Sequence, residues 1–196
     1  MKQLTDLPNG HIYRLATDNV FGLTIELALT TGIRLLICGN RLPFYDIAYA
    51  LARRVGQHYE IILKEEITFS RAETCIQLVD FLEEMEARAT PLLVSDLLAR
   101  FYDEEDHHVD ELFFTCQIEL QRLSKTALVF VSADPRSPLE RLGHVLSRTT
   151  REVERINCHS EKSQRDDEES LKRQDNLFPQ RLQYIKGLGD SSLRSE

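Results

Sequence analysis

Short apolar runs alternate with segments of helical spacing from about residue 11 to 156, the pattern of a domain that winds strands and helices around a mostly parallel sheet. HIYRL (11–15) and IRLLIC (33–38) predict strands, the second so continuously apolar that both of its faces should be covered. GLTIELALT (22–30) predicts a short helix between them. Phe44, Ile47, Leu51 and Val55 fall at helical spacing behind Pro43, which suits a first helical position. ITFS (67–70) is the next strand. Ser70 and Glu73 have capping-box spacing, ahead of a helix whose buried stripe is expected at Ile76, Val79 and Leu82.

PLLVSD (91–96) reads as a buried strand ending in an aspartate, and Val109, Leu112, Phe113, Cys116, Leu120 and Leu123 as one apolar helix stripe. TALVFVS (126–132) is the clearest strand of the chain and PLERLGHVLS (138–147) is helical. REVERI (151–156) fits a final strand or more helix, which periodicity does not separate. From Asn157 the texture changes to mixed charge with little to bury, so 157–196 is expected to be a flexible tail beyond a domain of residues 1–156. Its apolar LFPQRLQYIKGL (177–188) is either frayed end or a segment that orders on a partner.

The 196 residues, 42% hydrophobic and 29% charged, suit one soluble globular domain with a tail. MKQLTDLPNG lacks the apolar core of a signal peptide and no run is long enough to span a bilayer, so the expectation is a cytoplasmic protein with no membrane contact. The four cysteines, Cys38, Cys75, Cys116 and Cys158, are widely spaced, which fits buried thiols better than disulfides or a zinc site. A net charge of -8 argues against a surface that coats nucleic acid, because phosphate binding draws on clustered Lys and Arg. Contact with DNA is expected to be indirect at most.

The order of these elements resembles the RecA-like recombinases, archaeal RadA and its eukaryotic relatives among them, over roughly residues 10–135, with a weaker match at Thr149, Thr150 and Arg151. The family's Gly-x-x-x-x-Gly-Lys-Thr phosphate loop falls on TDNVFGLT (17–24), keeping Gly22 and Thr24 but placing Thr17 at the first glycine and Leu23 at the lysine. Its Asp-x-Glu-Gly-x-x-x-Pro segment falls on Leu36 to Pro43, with Gly39 and Pro43 kept and Cys38 in place of the glutamate that polarises water. TFSRAETCIQL resembles the family's Ala-Arg-Ala-Phe region at Arg71 and Ala72. LLVSDLLARFY resembles the Walker B strand, so that Asp96 stands where the magnesium-facing aspartate stands. After ALVFVS the family's Asn-Gln sensor is replaced by Ala133 and Asp134, and the DNA-binding loop is cut back to a turn.

The resemblance implies a RecA-like three-layer α/β/α domain whose nucleotide site, Thr17, Gly22, Leu23, Thr24 and Asp96, is degenerate. Loss of the lysine's charge-assisted contact costs on the order of 1.5–3 kcal/mol, and phosphoryl transfer would also lack its water-positioning carboxylate. Thr24 could hold magnesium with Asp96 behind it, or simply bond back into its helix while Asp96 caps the turn after its strand. DEEDHHVDE (103–111) invites a metal reading, but adjacent His107 and His108 point about 100° apart on a helix and suit a solvated helix start instead. The expectation is an inactive protein without catalytic residues, resident metal or cofactor. It would act as an accessory subunit in DNA recombination or repair, bound to a RecA-family recombinase or to copies of itself. The alternative is a regulatory protein that binds ATP and magnesium weakly, its site completed at a subunit interface.

Overall fold

The computed structural model describes residues 4–39, 42, 44–101, 108–133 and 140–153. These belong to one unit within Met1–Cys158, so Asn40, Arg41, Pro43, His107, Asp134 and the expected tail 157–196 lie outside the described residues. The elements are β1 (Ile12–Leu15), α1 (Thr17–Thr30), β2 (Ile33–Ile37), α2 (Phe44–Val55), α3 (Tyr59–Glu65), β3 (Ile67–Arg71), α4 (Cys75–Glu84), β4 (Leu92–Ser95), α5 (Val109–Ser124), β5 (Val129–Ser132), α6 (Glu140–Thr149) and β6 (Thr150–Val153). All six strands run parallel in the order β3-β2-β4-β5-β1-β6. The described part of the last segment, Thr150–Val153, is therefore a strand, and residues 154–156 lie outside the described residues.

The pleat sends alternate side chains to opposite faces and divides the core in two. Tyr13, Leu15, Ile33, Leu35, Ile37, Leu93 and Phe130 meet Val20, Leu23 and Leu27 of α1 with Ile47 and Leu51 of α2. Ile12, Leu36, Leu92, Val94, Val129 and Val131 meet α4, α5 and α6 through residues such as Leu78, Leu82, Cys116, Leu120 and Leu146. The result is three layers, α1 to α3, the sheet, and α4 to α6. Every residue of β2, β4 and β5 is buried, as central parallel strands require.

Two expected features move. Helix α1 begins at Thr17 rather than Gly22, and only Ala16 separates it from β1. Ser70 lies within β3; the cap of α4 is Thr74, whose hydroxyl accepts from Gln77 N–H at 3.2 Å, while Gln77 Oε1 accepts from Glu73 N–H at 2.8 Å. With α4 starting at Cys75, its buried stripe is Cys75, Leu78, Val79 and Leu82, and Ile76 is turned outward at 53% exposure.

Two arginines satisfy the carbonyls that α4 and the segment after it leave unpaired. Arg122 Nη2 donates to the carbonyls of Leu82 (2.9 Å) and Met85 (3.0 Å), and its Nε to Glu119. Arg34, buried in β2, donates to the carbonyls of Glu86 (2.7 Å) and Thr90 (2.9 Å). Arg34→Met should therefore cost about 2–4 kcal/mol, because a charged donor is lost and the carbonyls it served are left wanting. Arg34→Lys should recover only part of that, since an ammonium cannot fork between carbonyls as a guanidinium does. Urea unfolding midpoints of the three proteins check this.

Candidate functional site

In an open parallel sheet, ligands settle beyond the carboxyl ends of the strands, where neighbouring strands send their connections to opposite faces. Here β1 and β2 lead to the α1 to α3 layer, whereas β3, β4 and β5 lead to the α4 to α6 layer, so reversals fall between β3 and β2, between β2 and β4 and between β1 and β5.

At the β2/β4 reversal, Asp96 follows β4 with a left-handed backbone, φ 55°, a conformation that aspartate tolerates better than most residues. Its N–H donates to Ser132 Oγ at the end of β5 (3.0 Å), and its carbonyl accepts from Ala99 N–H (2.8 Å). Across the reversal, Cys38 N–H donates to the Ser95 carbonyl (2.9 Å). A Cβ on Gly39 would stand 2.5 Å from Asp96 Oδ2 and 2.8 Å from Asp96 Cβ, so glycine is required there by close approach alone. Beside this junction Arg100, only 15% exposed at its side chain, reaches Glu73 at 3.8 Å, and Glu73 also holds Arg71 at 2.9 Å.

The residues expected to form the phosphate loop are instead the first two turns of α1. Leu23 is fully buried among Tyr13, Leu15, Ile33 and Leu35, and Gly22 sits inside the helix. Thr24, also fully buried, donates its hydroxyl to the Val20 carbonyl at 2.8 Å, one turn back within its own helix. Thr17 begins the helix, and its Oγ1 is enclosed without a hydrogen-bond partner among the described residues. The structure thus leaves Asp96 and Thr17 at the strand ends and commits Leu23 and Thr24 to α1. Sequence reasoning missed Arg100 and Ser132; a polar residue closing the apolar run VFVS was the available signal for the latter.

Cys38 occupies the place expected for the water-polarising carboxylate, and it is a poor reactive group. Burial pushes its thiol well above the ordinary range; Cys116 and Asp96 push the same way and Arg100 opposes them. Cys116 is pushed up to about 12, mainly by burial, with Cys75, Glu83 and Glu119 adding to the shift. Among the described residues no group of three His, Cys, Asp or Glu is placed to hold a metal ion; His108 pairs with Glu111 at 3.1 Å on the exposed start of α5. A shallow cleft of about 180 Å³ lies elsewhere, between β2, β3 and residues 85–88, lined by Arg34, Thr68, Ser70, Met85, Glu86 and Arg88. That is below the roughly 300 Å³ at which pockets for small organic ligands begin. No helix among the described residues is long and apolar enough to cross a membrane. The chain matches no known protein family, and no curated protein is similar to it in sequence.

Two expectations follow. Unfolded thiols ionise near pH 8.5 whereas Cys38 and Cys116 stay neutral when folded, so the folded state holds more protons above that pH and stability falls as pH rises. The slope should approach about 1.4 kcal/mol per pH unit for each thiol, and Cys116→Ala should remove one thiol's share, read from urea unfolding between pH 8 and about 11. Leu23→Lys should destabilise at least as much as Leu23→Ala, about 2–5 kcal/mol, because an ammonium would enter an apolar cluster. It should add no affinity for Mg-ATP, as thermal unfolding and calorimetry on the same samples will show.

Proposed function

We propose that this chain is a catalytically silent relative of the RecA-like recombinases, acting as an accessory subunit through contacts with other proteins in DNA recombination or repair. The observation that carries the reading is the course of residues 17–24. A phosphate loop works by turning successive backbone N–H groups toward an anion, whereas here the N–H groups from Val20 onward are in position to bond carbonyls within α1. Leu23 in the core and Cys38 in the glutamate's place speak for the same reading, since charge developing in phosphoryl transfer would meet neither cation nor carboxylate there. The net charge of -8 favours a protein partner over direct DNA contact. On the α5 and α6 layer, Phe114 and Ile118 stand 63% and 50% exposed one helical turn apart, and Val145 of α6 is also exposed. Large apolar side chains left in water at helical spacing suit a protein surface that is covered in an assembly.

Thr17 favours a second reading. Its enclosed hydroxyl lies at the N-terminus of α1, the positive end of that helix dipole, beside the β1/β5 reversal. ATP with magnesium could bind weakly there if a neighbouring subunit supplied the missing cation.

Co-purification of the native protein followed by mass spectrometry tests the first reading: a recombinase, helicase or nuclease should be recovered, and recovery of none of these contradicts it. Calorimetry with Mg-ATP separates the two readings. Saturable binding tighter than about 100 μM, abolished by Asp96→Ala, would replace the first reading with the second.

A further inference from the structure

The two edges of the sheet are built differently. At one edge β6 turns Arg151 and Glu152 to solvent, charged residues of the kind that discourage pairing with another strand. At the other, β3 reads Ile67-Thr68-Phe69-Ser70-Arg71, with no charge or proline in its middle and Phe69 40% exposed. The phase of the ladder is set by two bonds, Ile33 N–H to the Glu66 carbonyl (2.7 Å) and Ala72 N–H to the Ile37 carbonyl (3.0 Å). In a parallel pair, bonding residues alternate along the strand, so Thr68 and Ser70 face β2, and the N–H and C=O of Ile67 and Phe69 point away from the sheet.

We propose that β3 is the docking edge for a second copy of this chain, joined antiparallel across a two-fold axis through Thr68. In that register Ile67 lies opposite Phe69 of the second copy, and Phe69 opposite its Ile67. Both are hydrogen-bonded pairs that use the outward groups identified above, and they lie on the side where Phe69 already meets the Phe44 ring, with centroids 5.5 Å apart. Charge selects the occupant and its direction. The strand is preceded by the acidic end of α3, Glu65 and Glu66, and closes on Arg71, so antiparallel pairing brings each copy's Arg71 toward the acidic start of the other's strand, while a parallel arrangement would set like charges together. Arg71 also keeps its bond to Glu73, which tempers that attraction without reversing it.

The pairing rests on the reading of a non-catalytic protein that works by assembly, and it can fail independently. Sedimentation equilibrium of the full chain, at concentrations up to about 50 μM, should show a dimer. Phe69→Lys, which leaves the backbone ladder to β2 in place, and Arg71→Glu should each raise the dimer dissociation constant tenfold or more. Glu65→Arg combined with Arg71→Glu should recover most of that loss. A monomeric wild-type chain overturns the pairing, even if another protein occupies the edge; so does a dimer indifferent to both single substitutions, or one that the double charge exchange fails to rescue. A monomer that still co-purifies with a recombinase leaves the proposed function standing, whereas ATP turnover by an intact dimer would overturn that function alone.

Discussion

The packing of α1 against the sheet is the constraint on which the rest of this domain depends. With Ala16 alone between β1 and the helix, there is no length of chain for a loop, and Val20, Leu23 and Leu27 are delivered straight onto Tyr13, Leu15, Ile33 and Leu35. Each such side chain contributes about 1.5–3 kcal/mol on burial, so reopening residues 17–24 around an anion would sacrifice more than a weak phosphate contact returns. The same packing turns Thr24 back onto Val20 and leaves Gly22 as an ordinary helical residue.

Polar order at the strand ends serves the fold as much as any ligand. Asp96 adopts a left-handed backbone, joins β5 through Ser132 and presses its carboxylate against Gly39, so β2, β4 and β5 are tied at one point. Arg34 and Arg122 act away from that junction, where they hold carbonyls of the last turn of α4 and of the segment after it. The α4 to β4 connection is thereby fixed without secondary structure of its own, which keeps β4 and its terminal aspartate in register with β2.

Strands were legible in the sequence because a buried parallel strand leaves a compact apolar run; IRLLI, LLVS and VFVS stand where they were expected. Helix starts were less legible. TDNVFGLT looked like a loop because its glycine and threonine matched a loop's spacing, although Val20, Leu23 and Leu27 already carried the helical period back toward Thr17. The α4 cap was misplaced by one helical turn because Ser70-x-x-Glu73 and Thr74-x-x-Gln77 are nearly the same signal; only the strand pairing of Ser70 with Leu36 decides between them. Arg100 stayed hidden because its role depends on Glu73, a contact across 27 residues that no local pattern encodes.

The central claim is that residues 17–24 are helix in the working protein, with or without nucleotide. Amide hydrogen exchange of the native chain tests it most directly. The N–H groups of Val20 to Thr24 should exchange slowly, as core helix groups do, and at the same rate with or without millimolar Mg-ATP. Rapid exchange across this segment that slows when Mg-ATP is added would show a loop that closes on phosphate, and would contradict the account.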